Sequence, residues 1–105
     1  MTMQTFAKKK IEIIVEAPIL TRLLDRLDEL AVSGYTVIPV LAGRGRGGSW
    51  SREGLATEAG RMVMVMVVTD ESRVQAVLEP VYKIVSRQIG IVTISDVQVI
   101  RPDHF

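Results

Sequence analysis

Between Lys8 and Ala17, Ile11, Ile13 and Val15 occupy alternate positions with Glu12 and Glu16 between them. That period of two predicts a strand. Pro18 follows, a residue suited to the first turn of a helix, where its missing N–H would be unpaired anyway. Ile19, Leu20, Leu23, Leu24, Leu27, Leu30 and Ala31 then recur at three- and four-residue spacing. Arg22, Asp25, Arg26, Asp28 and Glu29 fill the other side, which predicts an amphipathic helix stopped by a left-handed Gly34. Tyr35 to Leu41 and Arg61 to Val68 read as a second and third strand, rich in β-branched and apolar residues. A second helix is expected after a Thr69–Asp70 cap, with Val74, Val77, Leu78, Val81, Ile84 and Val85 as its apolar stripe and Pro80 as a kink. Gly90 ends the turn that follows. The last strand runs from Ile91 to Ile100, with a bulge expected at Ser95–Asp96, where the alternation changes phase.

Strand, helix, strand, strand, helix, strand is the split βαβ order, an α+β ferredoxin-like sandwich. The 105 residues fit one domain, 1–105, that can bury about 65% of its unfolded surface. In this architecture both helices cover one face of the sheet, so the other face should be polar. The third strand contradicts that pattern: Met62, Met64 and Met66 point one way while Val63, Val65 and Val67 point the other. An exposed apolar face of that size marks an interaction surface, so self-association is expected unless an N-terminal arm or loop covers it. Symmetry alone does not choose between dimer and trimer.

The connection between the second and third strands is longer than a hairpin needs. It runs from about residue 42 to 60 and opens with Gly43-Arg44-Gly45-Arg46-Gly47-Gly48. Structureless connections above about 12–15 residues are uncommon in compact domains and are commonly functional or disordered. Glycine lets backbone amides converge on an anion, and arginine adds paired, charge-assisted donors, which suits a phosphate or carboxylate. The stretch lacks the lysine of a P-loop, so it is not a Walker motif. A solvated flexible loop and an RNA-binding arginine–glycine segment are the other readings of these residues. Trp50, the only tryptophan, sits in this polar loop, where it can dock on a partner or ligand or pack back onto its own subunit.

The run Val37 to Gly47 (VIPVLAGRGRG) resembles the second strand and T-loop base of PII signalling proteins, whose pattern there is glycine, any residue, glycine, arginine. Gly43, Gly45 and Arg46 match that motif; Ser86 to Gly90 resembles the B-loop, and Arg101 sits where the family places a C-terminal arginine on nucleotide phosphates. The resemblance spans nearly the whole chain in element order, and it implies a homotrimer with adenine nucleotides in the clefts between subunits. Carried across residue by residue, it places Gly43, Gly45, Arg46, Gly90 and Arg101 in the nucleotide site, with Arg44 and Arg87 added by location. The chain departs from the family at several points. Gly90 is followed by Ile91 rather than by the rest of a two-glycine, lysine-bearing B-loop, and the 42–60 loop has no tyrosine for uridylylation. Gly47 replaces the glutamine after the motif's arginine, which argues against 2-oxoglutarate and Mg-ATP. Fewer phosphate ligands favour ADP or AMP over ATP. These losses resemble the PII-like branch found with bicarbonate transporters and carboxysomes. They imply bicarbonate held by Arg44 and Arg46, and a membrane transporter as partner of the T-loop.

Other chemistry is limited by what the chain lacks. With no cysteine there is no disulfide framework and no thiolate zinc site. With His104 as the only histidine, no Ser/His/Asp set or His cluster can be assembled, so no catalytic residue, metal or prosthetic group is expected. A net charge of +1 and only three adjacent lysines, Lys8 to Lys10, argue against nucleic acid. No signal-peptide core or membrane-length apolar run is visible, so a cytoplasmic protein is expected. An acylphosphatase-type enzyme shares the topology, but it needs an arginine loop after the first strand and an asparagine; the turn here is Glu16-Ala17-Pro18 and the chain contains no asparagine. A structural oligomer with a mobile loop is the remaining alternative to a nucleotide sensor.

Overall fold

The computed structural model describes residues 2–45, 48–51, 61–88 and 90–104. Its elements are β1 (Phe6–Glu16), α1 (Leu20–Glu29), β2 (Thr36–Pro39), β3 (Ala42–Gly45), β4 (Gly48–Ser51), β5 (Met62–Thr69), α2 (Val74–Val85) and β6 (Gly90–Val99). Four strands form one sheet in the order β2-β5-β1-β6, antiparallel throughout, while β3 and β4 form a separate two-stranded ribbon. The main sheet and the two helices make the expected ferredoxin-like α+β fold.

Alternation assigns each residue of the sheet to a face. Ile11, Ile13 and Val15 of β1 and Val63, Val65 and Val67 of β5 are buried on one face. Leu23 and Leu27 of α1 and Val77, Val81, Ile84 and Val85 of α2 close over them as a single core. The expected α2 stripe is buried or packed on this core, and of the expected α1 stripe Ile19, Leu20, Leu23, Leu24 and Leu27 pack while Ala31 is exposed. α2 runs through Pro80 without interruption, as the proline's lost donor is one hydrogen bond among those of a 12-residue helix whose apolar stripe is otherwise buried.

Three local expectations are corrected. First, α1 does not end at Gly34. Val32 N–H donates to Leu27 O at 3.4 Å and Ala31 N–H to Asp28 O at 3.1 Å, the paired bonds of a Schellman motif. Its left-handed residue is Ala31, with φ of 57°. Val32 packs against the core, and the Arg73 guanidinium donates to Leu30 O at 2.6 Å, so tertiary contacts choose the stop rather than the nearest glycine. Second, Asp70 gives α2 no side-chain cap; its carboxylate instead pairs with Lys8, and its backbone oxygen accepts from Arg73 N–H at 2.9 Å. Third, β6 has no bulge at Ser95–Asp96. Its register against β1 is unbroken from Phe6↔Val99 to Val15↔Gly90. The phase change arises because β6 is an edge strand: Asp96 pairs with Lys9 on the helix face rather than packing there, and that bond raises the Lys9 pKa above its ordinary value, against a smaller opposing effect of desolvation.

The Ala31 backbone carries the strain of a left-handed alanine, a cost of roughly 1–2 kcal/mol that glycine avoids. Ala31→Gly is expected to stabilise the fold by about 0.5–1 kcal/mol after the glycine's extra unfolded-state entropy is subtracted. Gly34→Ala, where an added Cβ would meet nothing within 4 Å, should be neutral. Urea unfolding of both variants checks the assignment, and a loss of stability in Ala31→Gly would contradict it.

Candidate ligand-binding site

The sheet decides which candidate residues can meet. Antiparallel pairing puts the end of β1, the end of β2, and the starts of β5 and β6 at one end of the sheet. Val40 N–H donates to Met62 O at 3.1 Å, and Ala17 N–H donates to Arg61 O at 2.8 Å, tying the chain on both sides of the 42–60 connection to that end. Gly43, Arg44 and Gly45, in the ribbon that leaves β2, follow directly from there, and Gly90 starts β6 there. β2 and β6 are nonetheless the two edges of the sheet, three strand spacings or roughly 14 Å apart.

Arg101 lies beyond the other end of β6. Ten residues, Gly90–Val99, separate the two ends, a span of roughly 30 Å at the rise of a strand. Within one chain, Gly90 and Arg101 cannot touch the same small ligand. The predicted set is therefore divided between opposite ends of the subunit.

Residues 42–45 and 48–51 also differ from expectation. They form a two-stranded ribbon, in which Ala42, Gly43, Arg44 and Gly45 pair with Ser51, Trp50, Ser49 and Gly48 respectively. A ladder directs alternate amides at the partner strand, so they cannot all converge on an anion. What remains of the glycine reading is the alternation: Gly43 and Gly45 share one face of β3 and contribute no side chain to it, while Arg44 lies on the other face and is exposed. Arg46, Gly47 and residues 52–60 lie outside the described residues, as does the side chain of Trp50.

Gly90 has a structural role that can be stated without any ligand. A Cβ placed there would sit 2.8 Å from the carbonyl oxygen of Ile14, inside contact distance with rigid backbone. The turn before it is closed by Ser86 N–H donating to Tyr82 O and Gln88 N–H donating to Val85 O, both at 2.9 Å. Arg87, in that turn, lines a cleft of about 380 Å³ together with Arg22, Tyr82, Lys83, Ser86 and Gln88. Sequence reading missed Arg22 and Lys83, because helical periodicity marks both simply as wet-face residues. A larger groove, about 890 Å³, continues between the helices past Asp25, Glu29 and Glu79. Arg61 presents another feature invisible in sequence: its Nε is buried with no hydrogen-bond partner among the described residues.

The open face of the sheet carries an apolar row across all four strands. Ile38 stands opposite Met64, Met64 opposite Ile14, and Ile14 opposite Ile91. Ile38 is 37% and Ile91 53% exposed, and Ile14 and Met64 are half-buried. The neighbouring row, Thr36, Met66, Glu12 and Thr93, is mixed, and Lys10 approaches Glu12 to 3.5 Å on the same face. Among the described residues, no group of three or more His, Asp or Glu is placed to hold a metal, and no helix is long and apolar enough to cross a membrane.

Residues 8–104 match the family model described as nitrogen regulatory protein P-II. Among solved structures, CPII, a nitrogen regulatory PII-like protein from Thiomonas intermedia K12 bound to ADP, AMP and bicarbonate, is 30% identical with a TM-score of 0.89, over 99% of this chain and 98% of that one. The same Thiomonas protein bound to ADP, AMP and acetate aligns at 29% identity and a TM-score of 0.77, covering 97% of each chain. A PII-like signalling protein from Thermus thermophilus shares the fold at 20% identity, with a TM-score of 0.80 over 98% of this chain and 99% of that one. No curated protein matches the sequence.

Gly90→Ala tests the close approach at the start of β6. The β1–β6 pairing must shift to admit the methyl group, so a loss of about 1–3 kcal/mol is expected in thermal or urea unfolding. Unchanged stability would show that the turn before β6 yields freely.

Proposed function

The chain belongs to the nitrogen regulatory protein P-II family, and from that premise we propose that it is a nucleotide-sensing regulator. As a single-domain homotrimer, it holds ADP or AMP in the clefts between its subunits. The observation that carries this reading is the separation of Gly90 and Arg101 at opposite ends of β6. A ligand that needs both must lie between copies, with one end of the sheet supplied by one subunit and the other end by its neighbour. The apolar row Ile38, Met64, Ile14 and Ile91 gives those copies a reason to assemble, because leaving it in water forfeits about 25 cal/mol for every Å² it could bury. Gly43, Gly45, Arg46, Arg87, Gly90 and Arg101 are the proposed nucleotide ligands. The Thiomonas relative that binds ADP, AMP and bicarbonate supports both the nucleotide and a second, small planar anion, which Arg44 and Arg46 would hold by paired hydrogen bonds.

Regulation follows from where the ribbon starts. β3 leaves the sheet at the end where Gly90 sits, so a nucleotide bound there bears directly on the 42–60 connection. Contacts made in only one conformation of that connection shift its population, and a partner that grips one conformation reads the nucleotide state. We assign the partner to inorganic-carbon uptake or fixation, a bicarbonate transporter reached from the cytoplasm. The chain itself performs no catalysis.

Calorimetric titration with ADP, AMP and ATP, each with and without bicarbonate, tests the proposal. Saturable ADP or AMP binding near one site per chain is expected, ATP weaker, and at least tenfold loss in Arg101→Ala, which removes a charge-assisted phosphate contact. No binding by any adenine nucleotide would overturn the sensor and leave a structural oligomer. Assembly is checked separately by sedimentation. Met64→Glu places a charge in the middle of the apolar row and should convert the trimer to monomer; a trimer that persists would put the interface elsewhere.

A further inference from the structure

The cleft at the C-terminal end of α2 collects three cations, none of which forms an ion pair among the described residues. Arg22 comes from the first turn of α1, Lys83 from the last turn of α2, and Arg87 from the turn that follows. None of the residues lining the cleft is acidic. Both helical cations have carboxylates at pairing distance along their own helices, Asp25 three residues after Arg22 and Glu79 four before Lys83. Those carboxylates line the adjoining groove, and among the described residues neither Arg22, Lys83 nor Arg87 forms an ion pair. Lys8, Lys9, Lys10 and Arg26 each have a carboxylate partner, and Arg73 donates to the carbonyl of Leu30.

Three cations around one concavity, none in a direct ion pair, repel one another, and the repulsion is relieved by a compact anion carrying two or more charges. Two guanidinium forks supply paired donors, which match the oxygens of a tetrahedral phosphate, and Lys83 adds a point charge. Tyr82, 68% exposed at the rim, and the Ser86 hydroxyl and Gln88 amide supply neutral donors. At about 380 Å³ the cleft is within the size range of small-ligand sites.

We infer that Arg22, Lys83 and Arg87 form a second anion site, on the helix side of the subunit, for a phosphate or pyrophosphate group. The groups it takes are free phosphates or the phosphate end of a larger metabolite. This inference shares only Arg87 with the proposed nucleotide site and stands without it, since Arg22 and Lys83 belong to the helices that cover the opposite face of the sheet from the apolar row. Joined to the sensor, such a site would report phosphate supply alongside the adenine nucleotide.

The test titrates the full chain with inorganic pyrophosphate, inorganic phosphate and AMP, each alone and in saturating ADP. The comparison is the double variant Arg22→Gln/Lys83→Gln, which alters exposed positions only and whose folding is checked by its melting temperature. Pyrophosphate binding that persists in saturating ADP, weakens as salt rises, and falls about tenfold or more in the double variant is expected. A preference for AMP over free phosphate under those conditions would identify a metabolite phosphate, and the reverse a free one. Absence of pyrophosphate binding to the wild-type chain, or equal affinity in the double variant, would overturn the site. Loss of ADP binding in the double variant would overturn it too, by making the cations part of the nucleotide site. Failure of ADP to bind the wild-type chain would sink the sensor instead, and the titrations without ADP would still decide this site.

Discussion

The constraint on which the rest depends is the pairing of β1 along its length with β5 on one side and β6 on the other. The β1–β6 register runs unbroken over ten residue pairs. It assigns Ile11, Ile13 and Val15 to the helices and Ile14 to the open face, so a single strand supplies the centre of the core and the centre of the apolar row. A slip of one residue would exchange the two faces and bury Glu12 under the helices. The same ladder holds Gly90 and Arg101 at opposite ends of the subunit. The core, the apolar row on the open face and the separation of the candidate ligand residues are thus three consequences of one strand's register.

From that division the function takes its shape. The ferredoxin-like subunit keeps both helices on one face of the sheet and leaves the other face open. Clefts arise when the faces of several copies meet, and each cleft then borrows chemistry from two chains. In the proposed trimer, coupling between sites would need little further machinery, because neighbouring subunits would share both the apolar row and the ligand. Mixed charges beside that row, Glu12 and Lys10 in particular, restrict how copies can pack against it, since each needs a partner when water is removed.

Most of the fold was legible in the sequence because period-two and period-3.6 patterns report burial directly. The alternation of Val63, Val65 and Val67 with Met62, Met64 and Met66 marks both faces of β5. Where reading failed, the deciding force was tertiary. Ala31 stops α1 because Val32 packs into the core and Arg73 holds the carbonyl of Leu30, and neither contact is visible from local propensity. Asp70 is drawn from its capping role by Lys8, 62 residues away in sequence. The apparent bulge in β6 was an edge strand's relaxed alternation. The candidate site was legible only as motif fragments, Gly43-Arg44-Gly45-Arg46 and Gly90. The separation of roughly 30 Å between Gly90 and Arg101, and the meeting of Arg22 with Lys83 and Arg87, depend on strand order and helix packing that no spacing encodes.

The central claim, that the ligand site is completed by a second copy, is tested most directly by complementation. Chains carrying Arg46→Ala and chains carrying Arg101→Ala are unfolded together in equal amounts, refolded into mixed oligomers, and titrated with ADP. Each homo-oligomer alone should bind ADP poorly at every site. In the mixture, random assembly joins an intact Arg46 from one chain to an intact Arg101 from its neighbour at about one site in four, and wild-type affinity should return at that fraction. Mixed oligomers that recover no binding would contradict the account and return the ligand to a site within one subunit.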